Sequence, residues 1–131
     1  QLGHIEDLAA AMVAALGNSK AIEQIYNISG DRYVSFDGLA RACAQAAGKD
    51  PQTLQLVHYE PKVFDFGKQK AFPIRLQHFF ASIEKACHEL NWKPRFDLIS
   101  GLRTSFEQDY GASGRAQADL DFKLDDQILR V

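Results

Sequence analysis

Between Tyr59 and Phe80 the chain reads YEPKVFDFGKQKAFPIRLQHFF, a stretch that interleaves flat rings with cations. Tyr59, Phe64, Phe66, Phe72, Phe79 and Phe80 supply the rings; Lys62, Lys68, Lys70 and Arg75 supply positive charge against Glu60 and Asp65. Ring faces stack on bases, and ammonium or guanidinium groups meet phosphate oxygens. The pattern therefore suits a partner carrying both, such as RNA or a nucleotide. The candidate contacts are Lys62, Lys68, Lys70 and Arg75 to phosphate, with Phe64 and Phe66 stacking. The competing reading is plain packing, in which phenylalanines plug the chain's own core while lysines face water. What frames the stretch decides between them.

Bulk charge gives such a partner no help. The net charge over 131 residues is −2, so phosphate binding has to come from a local patch. A hydrophobic content of 46% supports a real core, and the length fits one domain or the detached part of a larger one. Cys43 and Cys87 stand apart with no CxxC spacing, and read as small buried hydrophobes of a reducing compartment. No apolar run approaches the roughly 20 residues that span a bilayer. Neither His4, His58, His78 and His88 nor the aspartates near the end fall at metal-ligand spacing, so no metal ligands are assigned. The chain starts on Gln1 and reaches a helix signal almost at once, as a piece of a longer protein would.

The elements that must hold the stretch are mostly helical. Ile5, Leu8, Ala9, Met12, Val13 and Leu16 form a stripe at helical spacing, expected to face a core and to stop at Gly17. His4, just before that helix, reads as structural. Gln24–Ser29 (QIYNIS) and Leu54–His58 (LQLVH) are rich in β-formers and predict short strands. Ser35 predicts a cap for a helix burying Phe36, Leu39, Ala40, Cys43 and Ala47, ended by Gly48. Gly38 in its first turn fits either a close approach by another backbone or simple tolerance of a glycine there. Ser82 predicts the start of a helix over Ile83–Leu90, with Asn91 as its left-handed stop. Asp97 caps a helix from Leu98 to Asp109, with Leu98, Leu102, Phe106 and Tyr110 spaced for burial. Residues 1–110 make one region; 111–131 read as a polar tail, mobile alone or docked on the rest of the protein.

HIEDLA, YNISG and LNWKPRFDLISGL, in that order, resemble the carboxyl-terminal part of extended short-chain dehydrogenases, the NAD-dependent epimerase/dehydratase superfamily. Within it, YNISGDRYVSFDGLARACAQAAG, VHYEP, FDFGKQKAFPIR and QHFFAS resemble the chloroplast stem-loop RNA-binding proteins and their cyanobacterial relatives. Leu76 departs from the pattern, where such proteins tend to carry an acid. The resemblance implies an α/β fold, with an amino-terminal Rossmann domain lying outside this sequence. This chain would be its substrate-side portion, mostly helical with a few short strands. It also implies a cyanobacterial cytoplasm or a chloroplast stroma, and no membrane.

The resemblance opens two active readings beside a bland one. In the first, the protein binds stem-loop RNA, is associated with ribosomes or transcripts, and cleaves RNA as a further implication. In the second, a nucleotide-sugar epimerase, dehydratase or reductase uses this part to close over its ligand, with Arg75 clamping the diphosphate. The third is an oligomerisation module. This chain has no GxxGxxG and no Tyr-x-x-x-Lys, so it performs no hydride chemistry alone and no cofactor is assigned to it; NAD(P) belongs with the implied Rossmann domain.

Overall fold

The computed structural model describes residues 1–64 and 79–130. Helices α1 (Ile5–Ala15), α2 (Phe36–Ala46), α3 (Glu84–Leu90) and α4 (Leu98–Ser105) fall where the periodicity predicts them. A π-helical turn, Phe106–Gly111, continues α4, and α5 (Lys123–Leu129) forms in the tail. Short 3₁₀ turns occupy Ser19–Ala21, Pro61–Val63 and Arg115–Gln117.

Local chemistry sets the helix ends. Ser35 Oγ accepts the Gly38 N–H at 3.1 Å, and Asp97 Oδ1 accepts the Ser100 N–H at 2.7 Å. Asn91 takes the left-handed conformation that stops α3 (φ 49°), and Gly48 (φ 73°) lies just past the end of α2. Ser82 Oγ accepts the Glu84 N–H at 3.2 Å, so the expected serine serves α3 from one residue earlier than a true cap. His4 is structural: its Nδ1 accepts the Glu6 N–H at 3.3 Å, and its ring stacks on Phe96 at 3.9 Å. Gly38 faces a side chain, since a Cβ there would come within 2.6 Å of Val34 Cγ2.

The Ser100 amide, and after it the Ser100 hydroxyl, hold the Asp97 carboxyl below its usual range. A depressed folded-state value contributes stability that is present above about pH 4 and is lost as pH falls through it. Asp97→Ala should therefore melt earlier than the parent at neutral pH, with the gap narrowing as pH falls from neutral to well below about 4. A gap independent of pH across that range would contradict the assignment.

Small side chains make the core. Ala11, Ala86, Leu90 and Trp92 are buried, with Tyr26, Ile28, Ile83 and Cys87 packed around them. Alanine at the α1–α3 contact lets the two helices approach closely. Against α4, α2 buries Ala42 and Ala46, while Phe36 and Cys43, expected inside, are exposed. The larger correction concerns α1. Its inward face is Asp7, Ala10, Ala11, Ala14 and Ala15, whereas Ile5, Met12, Val13 and Leu16 are 61–78% exposed. Sequence periodicity finds an apolar stripe but cannot say which body it meets.

The predicted strands at Gln24–Ser29 and Leu54–His58 do not form, and the described residues contain no strand. A β-rich run becomes a strand only where a neighbour completes its ladder. Here side chains of 24–29 and their surroundings take that role: Lys85 Nζ donates to the Ile25 carbonyl at 3.2 Å, and Asn27 Nδ2 donates to the Ser82 carbonyl at 3.3 Å.

Candidate nucleic-acid interface

The path into the ring-and-cation stretch starts at α2. Arg41 Nη1 donates to the Pro51 carbonyl at 2.6 Å, fixing the connection after the helix. Asp50 closes the turn that follows, its Oδ1 accepting the Gln52 N–H at 2.9 Å and its carbonyl accepting the Thr53 hydroxyl at 2.9 Å. Further on, His58 Nε2 lies 2.9 and 3.1 Å from the oxygens of Asp37, in the first turn of α2. That pair is exposed and adds little stability. Its effect is positional, since it ties the segment to the helix just before Tyr59.

Beyond this tie the backbone curls. Glu60 Oε1 accepts the Lys62 N–H at 3.2 Å, and the Glu60 carbonyl accepts the Val63 N–H at 3.1 Å. The curl puts Lys62 in solvent and sets the Tyr59 and Phe64 rings edge to face at 5.6 Å. Both rings are half-buried. Of the predicted contact residues, Lys62 and Phe64 are therefore placed within a few residues of each other. Phe66, Lys68, Lys70 and Arg75 lie outside the described residues.

At the far end of the stretch the rings are solvent-facing. Phe79 and Phe80 are exposed, and the Phe80 ring lies 5.4 Å from the ring of Tyr33, which the sequence reading did not single out. The Gln1 side-chain amide brings the two segments together. Its Oε1 accepts the Ala81 N–H at 2.8 Å, while its Nε2 donates to the carbonyls of Ala81 at 3.1 Å and Gly30 at 2.7 Å. One primary amide thus does the work of a short strand pairing.

A second clasp, unpredicted, secures the frame. Asp7 is 2% exposed. Its carboxylate accepts the N–H groups of Arg95 (3.0 Å) and Phe96 (3.2 Å), and its carbonyl accepts the Trp92 indole N–H at 3.0 Å. Arg95 Nη2 also donates to Glu6 Oε2 at 3.2 Å. The available signal was an acid in the first turn of a helix together with an extended Trp-Lys-Pro segment; the pairing between them spans most of the chain and is invisible to local pattern.

Nearby, the Tyr26 hydroxyl donates to Glu89 Oε2 at 2.7 Å, and desolvation together with that carboxylate pushes its pKa up to about 12. The described surface is indented by a hollow of about 190 Å³ beside His4 and by another of about 380 Å³ around Gly17–Ile22. Among the described residues no group of His, Cys, Asp and Glu converges as a metal site, and no helix is long and apolar enough to cross a membrane.

Comparison with known proteins sharpens this. No protein-family model matches the chain, and no solved structure matches it. In sequence it is similar to the chloroplast stem-loop binding protein of 41 kDa b, a chloroplastic protein of Arabidopsis thaliana, at 58% identity over 130 residues. At that level over 98% of its length, this chain is a homologue of that protein. It spans 33% of the relative's length.

Proposed function

We propose that this chain is the RNA-gripping part of a stem-loop RNA-binding protein built on an extended short-chain dehydrogenase scaffold. The observation that carries the reading is the ring-and-cation stretch itself. The Tyr59–Phe64 ring pair stands beside an exposed Lys62, and the sequence that follows is rich in Lys and Phe. The likeness to a protein whose name says that it binds a stem-loop supports it. In this reading Lys62, Lys68, Lys70 and Arg75 meet phosphates, which position the RNA, while Phe64 and Phe66 stack on bases. An amino-terminal Rossmann domain covers the exposed stripe of α1, and the 111–131 tail docks on the same body.

The test is a salt series. The full chain, mixed with a stem-loop RNA between 50 and 200 mM salt, should lose affinity steeply, because each phosphate contact releases counterions. Replacing Lys62, Lys68, Lys70 and Arg75 together by Ala should weaken binding by at least about tenfold and flatten the slope by up to about 0.9 per contact removed. Salt-independent binding, or saturable and base-specific affinity for a sugar nucleotide instead, would overturn the reading.

A further inference from the structure

We propose that Tyr33 and Phe80 form a stacking platform for an unpaired base of the bound RNA, distinct from the residues that meet phosphate. The inference rests on the RNA-binding reading and names what part of the RNA this surface takes. Tyr33 is 76% exposed and Phe80 66% exposed, with ring centroids 5.4 Å apart and planes 33° apart. Rings that exposed are not plugging the core of the described residues. Neither is the pair an accident of two loose segments. The Gln1 amide holds Ala81 by both backbone groups and holds the Gly30 carbonyl as well, and the Gly30 N–H donates to the Leu2 carbonyl at 3.0 Å. Asn27 adds a bond to the Ser82 carbonyl at 3.3 Å. The backbone beneath the rings is thus set before any ligand arrives, which reduces the ordering cost of binding.

The local charge decides what the platform takes. Arg32, beside Tyr33, is exposed, but its Nε lies 4.0 Å from the Asp31 carboxylate. Among the described residues that carboxylate offsets the Arg32 charge, so the Tyr33–Phe80 pair presents flat apolar faces with no unopposed cation among them. A phosphate gains little there. A base splayed out of a loop gains a ring to stack on, a contact that tolerates any base and depends weakly on salt.

The experiment compares two RNAs on the full chain: a stem-loop carrying 2-aminopurine at an unpaired loop position, and a blunt duplex of the same stem. Tyr33→Ala combined with Phe80→Ala should weaken stem-loop binding about tenfold, equally at 50 and 200 mM salt. It should leave duplex affinity unchanged and abolish the quenching of 2-aminopurine. Tyr33→Leu with Phe80→Leu retains apolar bulk without flat faces, and should reproduce the loss at an unaltered melting temperature. Unchanged stem-loop affinity, or equal loss on both RNAs, would overturn the platform while leaving salt-dependent duplex binding, and so the parent reading, intact. A parent chain that binds neither RNA at any salt would remove both.

Discussion

Asp7→Ala should cost the chain about 3–5 kcal/mol, far more than an average surface change. The carboxylate is 2% exposed and receives the backbone N–H groups of Arg95 and Phe96 at 3.0 and 3.2 Å. Truncation removes the acceptor of both part-buried amides and opens a void where the buried carboxylate sat, and a donor left without an acceptor there incurs its desolvation cost. The damage reaches further, because Asp7 anchors the turn after Trp92, whose indole N–H bonds the Asp7 carbonyl at 3.0 Å. Asp7→Asn retains one acceptor oxygen and should recover about half of the loss. Urea titrations followed by circular dichroism measure both. A loss below about 1 kcal/mol for the alanine variant would mean that water or a rearranged turn satisfies the amides.

Gly30→Ala is the second large effect. The residue is buried, its N–H donates to the Leu2 carbonyl at 3.0 Å, and a Cβ built there overlaps that same oxygen. Backbone oxygen cannot rotate away as a side chain can, so the cost is overpacking of about 2–3 kcal/mol. Gly48→Ala is the informative control. Its φ of 73° strains an alanine, yet nothing lies within 4 Å of the new methyl, so the expected cost is about 1 kcal/mol. Thermal melts of the two variants should separate clearly. If they coincide, the strand-like seam joining Leu2 to Gly30 is looser than the geometry implies.

What could be read in advance followed from how local its cause is. Ser35, Asp97 and Asn91 act within a helical turn of themselves, so the limits of α2, α4 and α3 were legible. QIYNIS and LQLVH were misread because strand formation depends on a neighbouring ladder, which no window of sequence contains. The face of α1 was misassigned for a related reason. Its alanines, not its long apolar residues, meet Ala86 and Leu90, since what limits that contact is closeness of approach. In the tail, α5 went unread because polar composition outweighed Leu124 and Ile128, which are half-buried in it. Within the candidate site, Lys62 and Phe64 are candidates by type and spacing alone. Tyr33 was not among them, because its partner ring lies far along the chain, and the two segments are brought together by the Gln1 amide and by Asn27.

The Asp7–Trp92 bond also gives the molecule an optical gauge. Trp92 is the sole tryptophan of the chain and is 6% exposed, so all indole emission originates at the clasp between α1 and the segment after α3. Withdrawal of α1 wets that ring and drives its spectrum to the red, while events confined to the Tyr33–Phe80 surface leave the colour alone. A single cuvette therefore tells loosening of the frame from occupation of its surface.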